Sequence, residues 1–361
     1  MSNTKRSAAR SLDRVLEAMP SWLLGLPRNR RGYHLSPLLN VVRKVQRGSQ
    51  TTLMNSNNPK QLRKKIRDNL LPLQVSYEVQ EVRNVQIDLS DRLLNARLYI
   101  PKGKGSLPAL TVYFHGGGYI FGDLDTHDDL CRLLCRESGT QVLSVEYRLA
   151  PEHPFPAALQ DAIEAFHWAQ KNAKSFGVSP SAIALAGDSA GGNLATVAAQ
   201  DPSQYGPPLA QLLVYPGTDG ETVRPSHTQY GDAYFLDLED RKAFQRYYLS
   251  GGLTGMHDPQ VSPLLGDISP EFAPALIATA GFDILHDEGE AYATKLVRAG
   301  VQVDYLCFER LVHGFGNMVA VHRASEKALL EVARRWKRLC YSQLGASAQV
   351  AVKQNYSKAT A

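Results

Sequence analysis

From residue 76 onward the spacing of apolar positions changes several times. "VRNVQIDL" and "LLNARLYI" have strand-like spacing and composition, are joined at "SDR", and predict an antiparallel opening hairpin. "ALTVYFH" is a continuous apolar and β-branched run, as a parallel strand covered on both faces has. "THDDLCRLLCRES" takes up helical spacing, with Thr126 placed to cap it. The alternation continues through strand "QVLSVEY", a helix over 157–173, strand "AIALAG", a helix over 190–200 and strand "LAQLLVY". It resumes with strand "ALIATA", a helix over 288–299, strand "QVDYLCF" and a closing helix from about 323 to 342. Strands separated by helices imply βαβ units, so the fold class is α/β with a mostly parallel sheet flanked by helices. No internal repeat is present.

Two segments interrupt this scheme. Residues 1–75 are helix-prone and basic, with "PKQLRKKIRDNLLP" a short amphipathic piece, and 217–262 carries six tyrosines and phenylalanines between two strands. Both add helical material to one sheet and are read as parts of a cap. The catalytic domain is then 76–216 together with 263–345, and 346–361 is a tail whose end, "QNYSKATA", is expected to fray.

The 361 residues are 43% hydrophobic and 21% charged, the balance of a soluble globular chain rather than a disordered or fibrous one. Residues 1–75 hold 15 Lys and Arg against 3 Asp and Glu, a net +12, which leaves −7 for the remainder. Such a leader is suited to an anionic membrane or nucleic acid, and equally to a solvated face or to docking on the acidic body. The bland readings are preferred, and no nucleic acid is expected as a partner. Four cysteines without a CxxC pair make no disulfide framework. Cys131 and Cys135, four apart in a helical stretch, are read as a buried helix face rather than a metal site. No apolar run approaches the ~18 residues of a membrane span, and no secretory signal is recognisable, which favours the cytoplasm.

The chemistry gathers around "LAGDSAGGNLA". Gly187-Asp188-Ser189-Ala190-Gly191 fits G-x-S-x-G, a serine on a sharp strand-to-helix turn where the flanking glycines avoid a clash. Alone the pentapeptide is weak, but a strand precedes it and a helix follows. A serine hydroxyl needs a base to take its proton and a carboxylate to orient that base. In the fold that uses this elbow the acid and then the histidine follow the serine. Asp283, after strand "ALIATA", and His313, after strand "QVDYLCF", fit that order at the carboxyl ends of strands, where open parallel sheets bind ligands. Asp287 and Glu288 are the rival acids. His286, His153, His167, His227 and His257 are the rival bases, lying too close to the acid, before it, or without a strand in front. After "ALTVYF" comes His115-Gly116-Gly117-Gly118-Tyr119, whose glycines let backbone amides approach a reacting carbonyl as an oxyanion hole. Which of Gly116, Gly117 and Gly118 donate beside Ala190 is open at this point.

Together "HGGGY", "YRLAPEHPFPAALQD", "GDSAGGNLA", "DILHDE" and "HGF" resemble the bacterial hormone-sensitive-lipase-like esterases of the α/β-hydrolase superfamily. The run "GDLDTHD" looks like their acetyl-esterase branch. The resemblance implies Ser189 as nucleophile, Asp283 and His313 as its relay, Gly116 to Gly118 with Ala190 at the oxyanion, Tyr147 to Glu152 as a structural corner, and Asp188 as a support of the elbow. It implies no metal and no organic cofactor, and a small-molecule ester with a short acyl chain as substrate. An amidase, a peptidase or a lipase on the same triad is the alternative. A homodimer is compatible with this reading. The N-terminal segment is longer and more basic than the family's usual cap.

Overall fold

The computed structural model describes residues 2–49, 58–103, 105–201, 203–232 and 234–359. The stretch 50–57 of the basic leader therefore lies outside the described residues.

Four helices come first: α1 (Ser2–Ala18), α2 (Ser21–Leu24), α3 (Pro37–Ser49) and α4 (Pro59–Leu70). The hairpin β1 (Glu81–Asp88) and β2 (Leu93–Ile100) follows, pairing antiparallel. Then β3 (Leu110–Phe114), α5 (Asp128–Ser138), β4 (Gln141–Val145), α6 (Ala157–Lys171), β5 (Ile183–Asp188), α7 (Ala190–Ala198) and β6 (Gln211–Val214) alternate. Helices α8 (Pro225–Tyr230) and α9 (Leu238–Tyr248) occupy the interruption. The run ends with β7 (Ala275–Phe282), α10 (His286–Arg298), β8 (Val303–Val312) and α11 (Arg323–Ala359).

The described strands form one sheet in the order β1-β2-β4-β3-β5-β6-β7-β8. From β4 to β8 every neighbouring pair is parallel, and only β2, antiparallel to both β1 and β4, runs against the rest. The chain steps from β3 outward to β4 and then back across to β5. The loops after β3 and β5 thus open away from each other at a switch point, where a crevice forms. Residues of β3, β5, β6 and β7 are buried along their whole length, which is why these strands read as unbroken apolar runs.

Three expectations change. Thr126 does not cap α5: its hydroxyl accepts from the Asp123 amide at 2.9 Å and donates to the Asp123 carbonyl at 3.0 Å, closing the preceding turn instead. Strand β8 runs on to Val312, because a register shift in β7 carries Phe282 into pairing with Val312. A β-carbon at Gly281 would lie 2.4 Å from the Glu309 carbonyl oxygen, so only glycine admits that approach. Helix α11 continues to Ala359, through most of the segment expected to fray.

The basic leader docks on the acidic body. Arg10 bonds the Ala320 carbonyl (2.9 Å), Glu326 (2.8 Å) and the Val319 carbonyl, while Asp13 accepts from the Arg323 amide at 2.9 Å. Arg31 reaches Glu309 and Glu290, and Arg30 reaches Asp287. Arg63 on α4 clamps the carbonyls of Ile120 (2.6 Å) and Ala150 (2.8 Å) and the Glu152 carboxylate, and Arg67 pairs with Asp123 and Asp125.

Candidate active site

Ser189 is the first residue beyond β5 and the cap residue of α7, at φ 52° and ψ −119°. A non-glycine residue held there carries backbone strain of about 1–3 kcal/mol, which its surroundings must hold. They do so by close packing. A β-carbon at Gly187 would meet the Gly191 carbonyl oxygen at 2.2 Å, and one at Gly191 would meet the Phe114 oxygen at 2.0 Å. The Ser189 amide donates to the Val214 carbonyl at 2.9 Å, locking the turn to β6.

The Ser189 Oγ lies 2.9 Å from His313 Nε2, and His313 Nδ1 lies 2.8 Å from Asp283 Oδ2. Asp283 follows β7 directly and His313 follows β8 directly, so the three side chains stand at the carboxyl ends of β5, β7 and β8. Asp283 is buried, and its other oxygen accepts the Leu285 amide at 2.9 Å. The rival acids are occupied elsewhere. Asp287 accepts the Ser226 amide and pairs with Arg30, while Glu288 accepts the amides of Thr218 (2.8 Å) and Asp219 (3.2 Å) and faces Arg241. Among the rival histidines, His286 sits against the Ala280 carbonyl, His227 against the Arg224 amide and His167 near Asp201.

Asp188, beside the serine, turns out to join the two loops of the site. Its Oδ1 accepts from the Tyr113 hydroxyl at 2.6 Å and from the Gly116 amide at 2.7 Å, and Tyr215 approaches Oδ2 at 3.3 Å. Burial raises the affinity of this carboxyl for a proton, but His127 at 3.6 Å and these hydrogen bonds outweigh it and hold Asp188 below the usual carboxylate range. Of the three glycines left open by the sequence, Gly116 has its amide engaged by Asp188 and so is not free to donate to an oxyanion. The amides of Gly117, Gly118 and Ala190 donate to no carbonyl among the described residues. Gly117 takes φ 123°, and its carbonyl closes the turn by accepting from Ile120 and Phe121 at 3.0 Å each.

His115 braces this loop. Its Nδ1 donates to the Gly116 carbonyl at 2.8 Å, and the ring stacks on Tyr147 at 4.3 Å. Burial, with His127 beside it, pushes its pKa down to about 4, so the ring is neutral near pH 7. Tyr147 also donates its hydroxyl to the His115 carbonyl at 2.6 Å, and Glu152 receives Arg63. The segment 147–152 therefore links the glycine loop to α4.

Above these groups lies a largely apolar cavity of about 570 Å³ that includes Ser189 and His313 in its wall. Leu38, Leu39 and Val42 of α3, Ile66 and Leu70 of α4, and Phe244 and Tyr248 of α9 complete it. Tyr248 stacks on Tyr119 at 3.7 Å, and Phe244 covers Gly118 so tightly that a β-carbon there would lie 2.4 Å from its ring. Phe244 and Tyr248 belong to the aromatic run of 217–262 expected in the cap, and their spacing by four marks one helix face; the individual wall residues of α3 and α4 were not singled out from the sequence. The described residues offer one cluster with metal-ligand spacing, Asp13, Glu17 and His322, in which Ser36 bonds Glu17 and His322 and Ser325 bonds His322.

This geometry has counterparts. Residues 111–317 match the family described as the alpha/beta hydrolase fold. A carboxylic ester hydrolase of Mycobacterium tuberculosis, LipN, is 49% identical over 230 residues, covering 62% of this chain and 61% of that protein. The ethyl acetate hydrolase of Pseudomonas putida is 38% identical over 246 residues, 66% of this chain and 76% of that protein. The solved structure of a hyperthermophilic esterase from the archaeon Pyrobaculum calidifontis superimposes with a TM-score of 0.78 at 33% identity, covering 84% of this chain and 98% of that one. The chain belongs to the α/β-hydrolase family, in its hormone-sensitive-lipase-like branch, whose similar members are esterases. No helix among the described residues is long and apolar enough to cross a membrane.

Proposed function

We propose that the chain is a serine carboxylesterase acting on small esters with short acyl chains, with Ser189, His313 and Asp283 as its triad. The observation that carries the reading is the continuous relay, Ser189 Oγ to His313 Nε2 at 2.9 Å and His313 Nδ1 to Asp283 at 2.8 Å. His313 takes the hydroxyl proton as Ser189 Oγ attacks the ester carbonyl carbon, and Asp283 steadies the imidazolium that forms. The carbonyl oxygen becomes an oxyanion between the amides of Gly117, Gly118 and Ala190, helped by the positive end of α7. As the tetrahedral adduct collapses, His313 passes its proton to the departing alkoxide and an acyl-serine remains. Water then attacks, giving its proton to His313, which returns it to Ser189 as the acid leaves. No step calls for a metal or an organic cofactor.

The short acyl preference draws support from the ethyl acetate hydrolase among the relatives. A second reading, longer acyl chains, has its own observation: α3 and α4 add Leu38, Leu39, Val42, Ile66 and Leu70 to the cavity wall. A p-nitrophenyl ester series from acetate to palmitate separates the two. Rates peaking at acetate to butyrate bear out the proposal, and a peak at the long end moves it to a lipase. Ser189→Ala is expected to lower kcat by about 10⁶-fold with folding intact; undiminished turnover overturns the nucleophile assignment.

A further inference from the structure

Helix α1 is amphipathic the wrong way round for a helix on a globular body. The face it turns to the protein is mostly polar: Arg10, Asp13 and Glu17 bond the segment 319–326 and Arg310, beside one buried apolar residue, Leu16. The face it turns outward is apolar, with Leu12, Val15 (60% exposed) and Met19 at helical spacing. The apolar surface continues beyond it. Trp22 is 78% exposed and Leu23 55% on α2, and Val45 on α3 is 67% exposed one turn after the exposed Val41. On α3 the outward pair Val41 and Val45 adjoins Leu38 and Val42, which line the cavity, so the bare stripe runs into the rim of the site. Exposed large apolar side chains repeated on three successive helices point to a surface that something covers.

The charges around the stripe name the occupant. Arg14, Arg28 and Lys44 are exposed on the same elements and their connection, and none has an ion pair among the described residues. The three acids of residues 1–75 are all engaged: Asp13 with the Arg323 amide, Glu17 with Arg310 and Ser36, Asp68 with Lys64. These elements therefore present exposed apolar side chains together with exposed cations that have no ion pair among the described residues, while their carboxylates are engaged. A second copy of the chain docked about a two-fold axis would set these cations against one another. A bilayer bearing anionic lipids accepts both features at once, with Trp and Leu entering the headgroup boundary and Lys and Arg meeting phosphate.

We propose that α1, α2 and the outer face of α3 form a surface that docks on anionic phospholipid bilayers, with the mouth of the cavity next to the membrane. The proposal does not depend on the catalytic reading. Its test is sedimentation of the full chain with vesicles of phosphatidylcholine alone or mixed with phosphatidylglycerol, at low and high salt. The mixed vesicles are expected to carry the protein down and salt to release it, with Trp22 emission moving to shorter wavelength; Trp168 and Trp336 are already partly or fully buried. The double variant Val15→Glu/Trp22→Glu is expected to bind at least tenfold more weakly at an unchanged melting temperature. If that variant does not fold, Arg14→Glu/Lys44→Glu takes its place with the same expectation. Equal binding to neutral and anionic vesicles, or binding to neither, overturns the proposal. So does a lipid-free dimer that the Val15→Glu/Trp22→Glu variant abolishes, which makes the face an interface between copies.

Discussion

Asp188 binds the serine turn to the glycine loop through one carboxylate oxygen. Replacing it by alanine leaves the Tyr113 hydroxyl and the Gly116 amide without their acceptor in a buried place, at a cost of about 1–3 kcal/mol for each orphaned donor. Asp188→Ala is therefore expected to lower the melting temperature and to reduce kcat more than it raises KM, read by calorimetry and ester kinetics. Gly191→Ala is more severe, since its β-carbon has a carbonyl oxygen 2.0 Å away and no flexible side chain to displace; soluble, folded protein is not expected. Asp129 gives a pH signature. Burial pushes its pKa from the ordinary carboxylate range up to about 7, against opposing hydrogen bonds and His127. The folded state thus holds a proton that the unfolded state has released, and stability falls as pH rises from about 4 to 7. Asp129→Asn removes that penalty, so its gain in melting temperature is expected to be larger at pH 8 than at pH 4.5; equal gains would contradict the assignment. The serine, acid and histidine were legible as residue types in order. Asp188 was expected as a support of the elbow from the resemblance, but its partners were not legible, because Tyr113 and Gly116 reach it from a strand and the loop after it, more than seventy positions earlier.

At the scale of elements, α4 is held by Arg63 at two carbonyls and a carboxylate. Exposed ion pairs alone contribute about 0–1 kcal/mol, but loss of the carbonyl contacts as well makes Arg63→Ala a 1–2 kcal/mol change by order of magnitude. Because α4 carries Ile66 and Leu70 into the cavity, the same variant is expected to raise KM for longer acyl esters more than for acetate. The central strands were readable because strands covered on both faces are continuously apolar. The end of β8 was not: "ERLV" breaks the pattern, yet Glu309 is matched by Asn29 and Arg31, and the Arg310 carbonyl accepts the Ser36 amide. Polar residues there face the N-terminal segment, and no local window reveals a partner so far off in the chain. The same holds for the cap of α5, where Thr126 has a choice of turns and takes the one that Asp123 offers.

For the whole molecule, the charge asymmetry between leader and body resolves into specific pairs, from Arg10 with Glu326 to Arg67 with Asp125. Removing residues 1–50 takes away Leu38, Leu39 and Val42 from the cavity and leaves Glu309, Glu326 and Asp287 without their arginines. That truncation is expected to lower the melting temperature and to cut activity on longer acyl esters; unchanged kinetics and stability would mean the segment is no part of the cap. The pairs have a consequence in time as well as in space. Arg10 and Asp13 find their partners more than three hundred positions later, at Val319 to Glu326. At about 5–20 residues per second of synthesis, α1 leaves the ribosome and waits some tens of seconds before its seat exists. A helix made so early is among the last to be packed, and during that interval Arg10 and Asp13 carry their charges in water, without the partners that the folded chain gives them.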